Sequence, residues 1–130
     1  MARRPSRHPT ELELEILKIS WRQGPATVRQ VRDQLNKLRP LAYTSVMTVM
    51  NIMVKKGYLQ RSKQGVSYVY RSRISRQTST RRMLSDLVDR VFDGSASAVM
   101  LNLLETADID QSDLQELHEL INRRAKEQSP

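Results

Sequence analysis

The chain has 130 residues, no cysteine, and 22 Lys/Arg against 14 Asp/Glu, for a formal net charge of +8. That length suits one modest domain, or a small one with an appendage, and the missing cysteines exclude disulfide scaffolding, thiolate metal sites and cysteine nucleophiles. No segment approaches the ~18–20 apolar residues of a membrane span, and the charged N-terminus lacks the apolar stretch of a secretory signal; a cytoplasmic protein without a membrane partner is expected.

The charge is divided unevenly. Residues 1–82 hold 18 Lys/Arg against 4 Asp/Glu, whereas residues 83–130 hold 4 against 10. A basic head favours an anionic partner. Nucleic acid fits better than a membrane, because the cations do not gather on one long amphipathic helix.

Residues 1–9 form a basic arm with Arg3, Arg4 and Arg7. It is either a solvated tail or an arm that tracks phosphates or enters a minor groove. Thr10 and Glu13 make a capping box that opens a first helix. Leu12, Ile16 and Ile19 follow at helical spacing, Trp21 is a core residue, and Gly24-Pro25 stops the helix. Thr27, with Gln30 three residues on, opens a second helix with Val28, Val31 and Leu35 as its buried stripe and Arg29, Arg32 and Lys37 outward. Pro40 disfavours helix at Arg39 and ends it.

A third helix is expected from about Thr44 to Gly57, a natural residue just past a helix end. Val46, Val49, Met50 and Met53 fall on one side, and Thr44, Thr48, Asn51 and Lys55 on the other. That polar face carries no carboxylate, unlike an ordinary solvated face, which mixes Glu with Lys. Such a face suits an element pressed between phosphates and base edges. Met47, Met50 and Met53 are simplest as gap-filling core residues rather than a metal box. Residues 58–61 and 66–71 then predict two strands joined by a polar turn at 62–65, carrying Arg61, Lys63, Arg71 and Arg73. Tyr68 and Tyr70 share one face of this hairpin, for packing onto the helices or, secondarily, for stacking on nucleic acid.

Three more helices follow: 75–92, one capped by Ser95, and one opened by Asp110 and Asp113. Their apolar residues are Leu84, Leu87, Val88 and Val91, then Val99, Met100, Leu103 and Leu104, then Leu114, Leu117 and Ile121. Three short amphipathic helices are too few to bury these faces alone. A homodimer interlocked through them is expected.

The predicted fold is therefore mainly α with a small β-hairpin. Residues 1–9 form an arm, 10–74 a winged helix-turn-helix DNA-binding domain, and 75–130 a helical dimerisation region. Base-edge candidates are Tyr43, Thr44, Ser45, Thr48 and Asn51. Phosphate candidates are Arg3, Arg4, Arg7, Arg29, Lys55, Lys56, Arg61, Lys63 and Arg71. No P-loop, Gly-rich phosphate cradle, metal-ligand spacing or base-bearing serine constellation is present, so neither enzymatic activity nor a cofactor or metal is expected. His8 lies in the arm and His118 beside Glu119 on a charged helix side. Two other readings stay open: a winged-helix module that contacts protein, and a repressor with a small-molecule pocket in the dimer region.

The chain resembles the penicillinase and methicillin-resistance repressors of bacteria (BlaI/MecI-like). The resemblance rests on Thr10-Glu11-Leu12-Glu13 with Trp21, Thr27-Val28-Arg29-Gln30-Val31, the run from Ala42 through Tyr43-Thr44-Ser45-Val46-Met47-Thr48-Val49 to Met50, Lys55-Lys56-Gly57-Tyr58-Leu59, and Ala98-Val99-Met100-Leu101-Asn102-Leu103-Leu104-Glu105. It implies a dimeric repressor of resistance-type operons that binds operator dyads and is inactivated by proteolysis in the dimerisation region by a sensor-linked protease. In family members the cut follows an Asn in the last block, which here is the Asn102–Leu103 bond; cut members carry Phe where this chain has Leu103. Some relatives respond to copper through C-terminal cysteines, which this chain lacks.

Overall fold

The computed structural model describes residues 8–129. Its elements are α1 (Glu11–Gln23), α2 (Val28–Leu35), α3 (Tyr43–Lys56), β1 (Leu59–Gln64), β2 (Ser67–Ser72), α4 (Arg76–Val91), α5 (Ala96–Thr106) and α6 (Gln111–Glu127). The described residues fall into two compact units, divided after Ser85. The division lies inside α4.

Local signals set most helix ends. Thr10 caps α1, accepting from the Glu13 amide at 3.2 Å while Glu13 Oε1 accepts from the Thr10 amide at 2.8 Å. Thr27 and Gln30 repeat this reciprocal box at α2. Each box satisfies amides that have no partner within the helix. At the end of α3, Gly57 adopts φ +86°; its amide donates to Val54 O at 3.1 Å and that of Tyr58 to Met53 O at 2.9 Å. This is a Schellman closure, and it turns the chain straight into β1.

The core of the first unit draws on every element from α1 to β2. Ile16, Leu17 and Ile19 of α1 meet Val28, Val31 and Leu35 of α2, Val46, Met50 and Met53 of α3, and Leu59 and Tyr70 of the hairpin. At ~1.5–3 kcal/mol for each large apolar side chain buried, this cluster is the main source of the unit's stability. Trp21 packs against it half-buried, and its indole Nε1 donates to Ser72 Oγ at 3.1 Å and to Ile74 O at 2.9 Å. Those bonds tie the end of α1 to the foot of the hairpin.

β1 and β2 pair antiparallel from Leu59↔Ser72 to Gln64↔Ser67. The strands thus extend through Ser62 and Lys63, and the turn is Gly65-Val66 rather than the expected 62–65. Gly65 alone of the two has positive φ, at +63°. That is the type II′ pattern, whose twist matches the flanking strands. A one-residue bridge adds a third, short edge: Ala26 N donates to Tyr70 O at 3.0 Å and Tyr70 N to Ala26 O at 2.8 Å. The helices and hairpin of this unit form a winged helix-turn-helix.

In α5 and α6 no residue is buried. Leu84, Leu87, Val91, Met100, Leu103, Leu104, Leu114, Leu117 and Ile121 are each 38% to 61% exposed, and Val88 and Val99 are half-buried. No helix among the described residues is long and apolar enough to cross a membrane.

Candidate nucleic-acid interface

α3 buries Val46, Met50 and Met53, with Met47, Val49 and Val54 packed partly buried against the core. Tyr43, Thr44, Ser45 and Thr48 are exposed, grouped over its first two turns. No carboxylate lies among the residues of α3. The Thr48 hydroxyl donates to Thr44 O at 2.9 Å, a back-bond that uses its proton and leaves its lone pairs outward. Asn51, one turn further on, is half-buried; its Oδ1 accepts from Arg61 Nη1 at 3.0 Å and from the Tyr70 hydroxyl at 2.8 Å.

The connection from α2 presents the start of α3. Asn36 Oδ1 accepts from Leu41 N at 3.1 Å, and Arg32 Nε donates to Leu41 O at 3.4 Å. Both carbonyl and amide of Leu41 are thereby held, which fixes the approach to Tyr43 without a side-chain cap on Ala42. An open groove of about 590 Å³ runs between the first turn of α2, the first two turns of α3 and the wing tip. Thr27, Arg29, Arg32, Tyr43, Met47, Val66 and Tyr68 are among its lining residues.

The cations of α2, the end of α3 and the wing lie in the open. Arg29, Lys55, Arg61, Lys63 and Arg71 are all exposed. The Arg61 guanidinium lies over the Tyr68 ring, 4.6 Å from its centroid. The register explains this contact: Arg61 is opposite Tyr70 and Lys63 opposite Tyr68, so Arg61 and Tyr68 are diagonal neighbours on one face. Of the two tyrosines only Tyr70 packs onto the helices; Tyr68 stays 43% exposed. Val66, at the tip, is 99% exposed.

Two expected contacts are placed differently. Lys56, grouped with the phosphate candidates from sequence, has its Nζ 3.1 Å from both oxygens of the buried Glu13 carboxylate. Its charge compensates a buried carboxylate within the fold, which distinguishes it from the other exposed cations. Asn51 is engaged by the wing, as described. Arg3, Arg4 and Arg7 lie outside the described residues. What the sequence did not disclose is the role of Tyr70 as a double anchor and of Arg32 as a brace on Leu41. The period-two alternation of the strand was a signal for the first; no local signal exists for the second. Asn102 and Leu103, the bond singled out by resemblance, are exposed within α5. Among the described residues no cluster of His, Asp and Glu could hold a metal ion.

The sequence matches the family described as "Penicillinase repressor" over residues 9–123. It is 30% identical over 105 residues to the transcriptional regulator BlaI of Mycobacterium tuberculosis, covering 79% of this chain and 76% of that one. It is 23% identical to the penicillinase repressor of Bacillus licheniformis over 86% of this chain and 88% of that one. Over 86% of this chain and 91% of the other it is 21% identical to the methicillin resistance regulatory protein MecI of Mammaliicoccus sciuri.

Proposed function

The chain belongs to the penicillinase repressor family, and on that premise we propose that it is a sequence-specific transcriptional repressor, binding a dyad operator as a homodimer in the cytoplasm. The observation that carries this reading is the exposed, carboxylate-free start of α3 beside a wing rich in cations. Each protomer sets α3 in a major groove, with Tyr43, Thr44, Ser45 and Thr48 at base edges. Arg29, Lys55, Arg61, Lys63 and Arg71 neutralise phosphates. Repression follows from occlusion of a promoter, and the chain itself catalyses nothing.

The dimer is supported by the exposed apolar residues from Leu84 to Ile121, which a second copy would cover. Two half-sites a whole number of turns apart, ~10 bp each, would then be bound together. Linking them raises affinity through effective concentration. Relief by a sensor-linked protease at the Asn102–Leu103 bond would remove that gain. The bond lies within α5, where Asn102 O accepts from Thr106 Oγ1 at 2.7 Å, so hydrolysis requires the helix to unwind locally.

The test is a nuclease footprint of the purified chain upstream of its own gene, with excess non-specific competitor DNA. A protected site of two-fold symmetry is expected. Affinity should fall by ~10³–10⁵ between 50 and 200 mM salt if 6–10 phosphates are contacted. Diffuse protection with a flat salt profile would overturn the reading and favour a module that contacts protein.

A further inference from the structure

Asn51 sits where a base-reading side chain is expected, midway along a recognition helix, yet its acceptor is already committed. Its Oδ1 takes both the Arg61 Nη1 and the Tyr70 hydroxyl hydrogen bonds, at 3.0 and 2.8 Å. A guanidinium only donates, so the amide oxygen, not its nitrogen, must face Arg61. An amide oxygen has two lone pairs, and both are used. Adenine recognition by Asn needs that oxygen to accept from N6 while the amide nitrogen donates to N7. Here such a pairing would require a wing contact to be given up.

The group that holds Asn51 is itself anchored in the core. Tyr70 is buried, and its backbone amide and carbonyl are both bonded to Ala26. Asn51 is therefore a fixed strut between the core and Arg61. Arg61 in turn is gripped at Nη1 and covered on one face by the Tyr68 ring. Its remaining N–H donors and its other face stay exposed. A free arginine must surrender rotamer freedom when it closes on a phosphate; one already held in place surrenders much less.

We infer that Asn51 is a positioning residue that, with Tyr68, holds the Arg61 guanidinium ready as a clamp for a DNA backbone phosphate beside the recognition helix. The inference rests on the operator binding proposed above. It changes the part Asn51 plays: it sets affinity on every sequence and does not choose a base.

Three variants of the full chain test this: Asn51→Ala, Asn51→Asp and Arg61→Ala, with the Asn51→Ala/Arg61→Ala double variant. Asp keeps the acceptor that Arg61 and Tyr70 need but has no amide donor for a base. Two readouts are taken, amide hydrogen exchange of the β1–β2 hairpin without DNA, and affinity for an operator library carrying single base changes. Asn51→Ala is expected to speed hairpin exchange and to weaken binding roughly 10-fold on all sequences, as for loss of one charge-assisted hydrogen bond. Asn51→Asp should restore slow exchange and leave the order of base preferences as in the parent chain. The double variant should fall little below Arg61→Ala alone. A loss confined to one base pair, or losses that multiply fully in the double variant, would overturn the inference. So would hairpin exchange indifferent to Asn51→Ala. A parent chain with no base preference would instead overturn operator binding, while the exchange data still decide the strut.

Discussion

Lys56 Nζ lies 3.1 Å from each oxygen of the Glu13 carboxylate, 43 residues earlier in the chain. Glu13 is 2% exposed, and the same Oε1 accepts from the Thr10 amide at 2.8 Å. One carboxylate therefore closes the N-terminal cap of α1 and locks it to the last turn of α3. The C-terminal end of α3 is thus braced against the start of α1.

Lys56→Ala leaves that carboxylate buried without its counter-charge. Breaking a fully buried pair costs ~3–5 kcal/mol; Lys56 is about one-third exposed, so a loss of ~1–3 kcal/mol in urea unfolding is expected. The salt slope of operator binding should not change. Lys63→Ala should do the reverse, sparing stability and lowering the slope by ~1. A reduced slope for Lys56→Ala would return that residue to the phosphate contacts.

Thr48 offers its lone pairs outward because its proton is held by Thr44 O. An acceptor at that point favours a base that donates in the major groove, cytosine through N4 or adenine through N6. Thr48→Ala should flatten preference at one operator position, by roughly 5–10-fold for one lost hydrogen bond, and Thr48→Ser should retain it. Lys55→Ala should weaken all sequences alike. Selection from a randomised operator library separates these outcomes, and uniform weakening by Thr48→Ala would remove it from the base contacts.

Ending the chain after Ser85 keeps every residue of the buried apolar cluster, which spans Ile16 to Tyr70. This fragment should unfold cooperatively and sediment as a monomer. Its operator affinity should drop by ~10²–10⁴, the gain lost when two linked sites become independent. A fragment that remains dimeric would place the interface in the winged-helix unit.

Tyr58 has its hydroxyl pKa raised above the ordinary 10.0, first by burial and then by the Glu13 charge, with Lys56 opposing. A raised folded-state value means that the folded chain holds its proton where the unfolded chain has lost it. Its contribution is full below pH 10.0 and disappears as pH rises through the folded value. Urea midpoints should therefore fall above that pH, and Tyr58→Phe should make the fall shallower. An identical pH profile in the two chains would exclude this tyrosine as a cause.

The residues themselves determined the helices, their caps and the family. Thr10 with Glu13, Thr27 with Gln30, Ser95 with Ala98 and Asp110 with Asp113 each meet three residues apart, within one turn, so local spacing suffices. The carboxylate-free stripe of α3 was legible for the same reason: helical period alone gathers it. Only the tertiary structure decided which polar groups remain available. Lys55 and Lys56 are neighbours in sequence and both exposed, yet Lys56 is paired with the buried Glu13. Asn51 shares a stripe with Thr48, but its oxygen is claimed by residues 10 and 19 positions away. Tyr68 and Tyr70 alternate alike, yet only Tyr70, bridged to Ala26, joins the buried cluster. A side chain's period fixes the direction in which it points; its partner depends on what the chain folds against that face, and such long-range pairings leave no local mark.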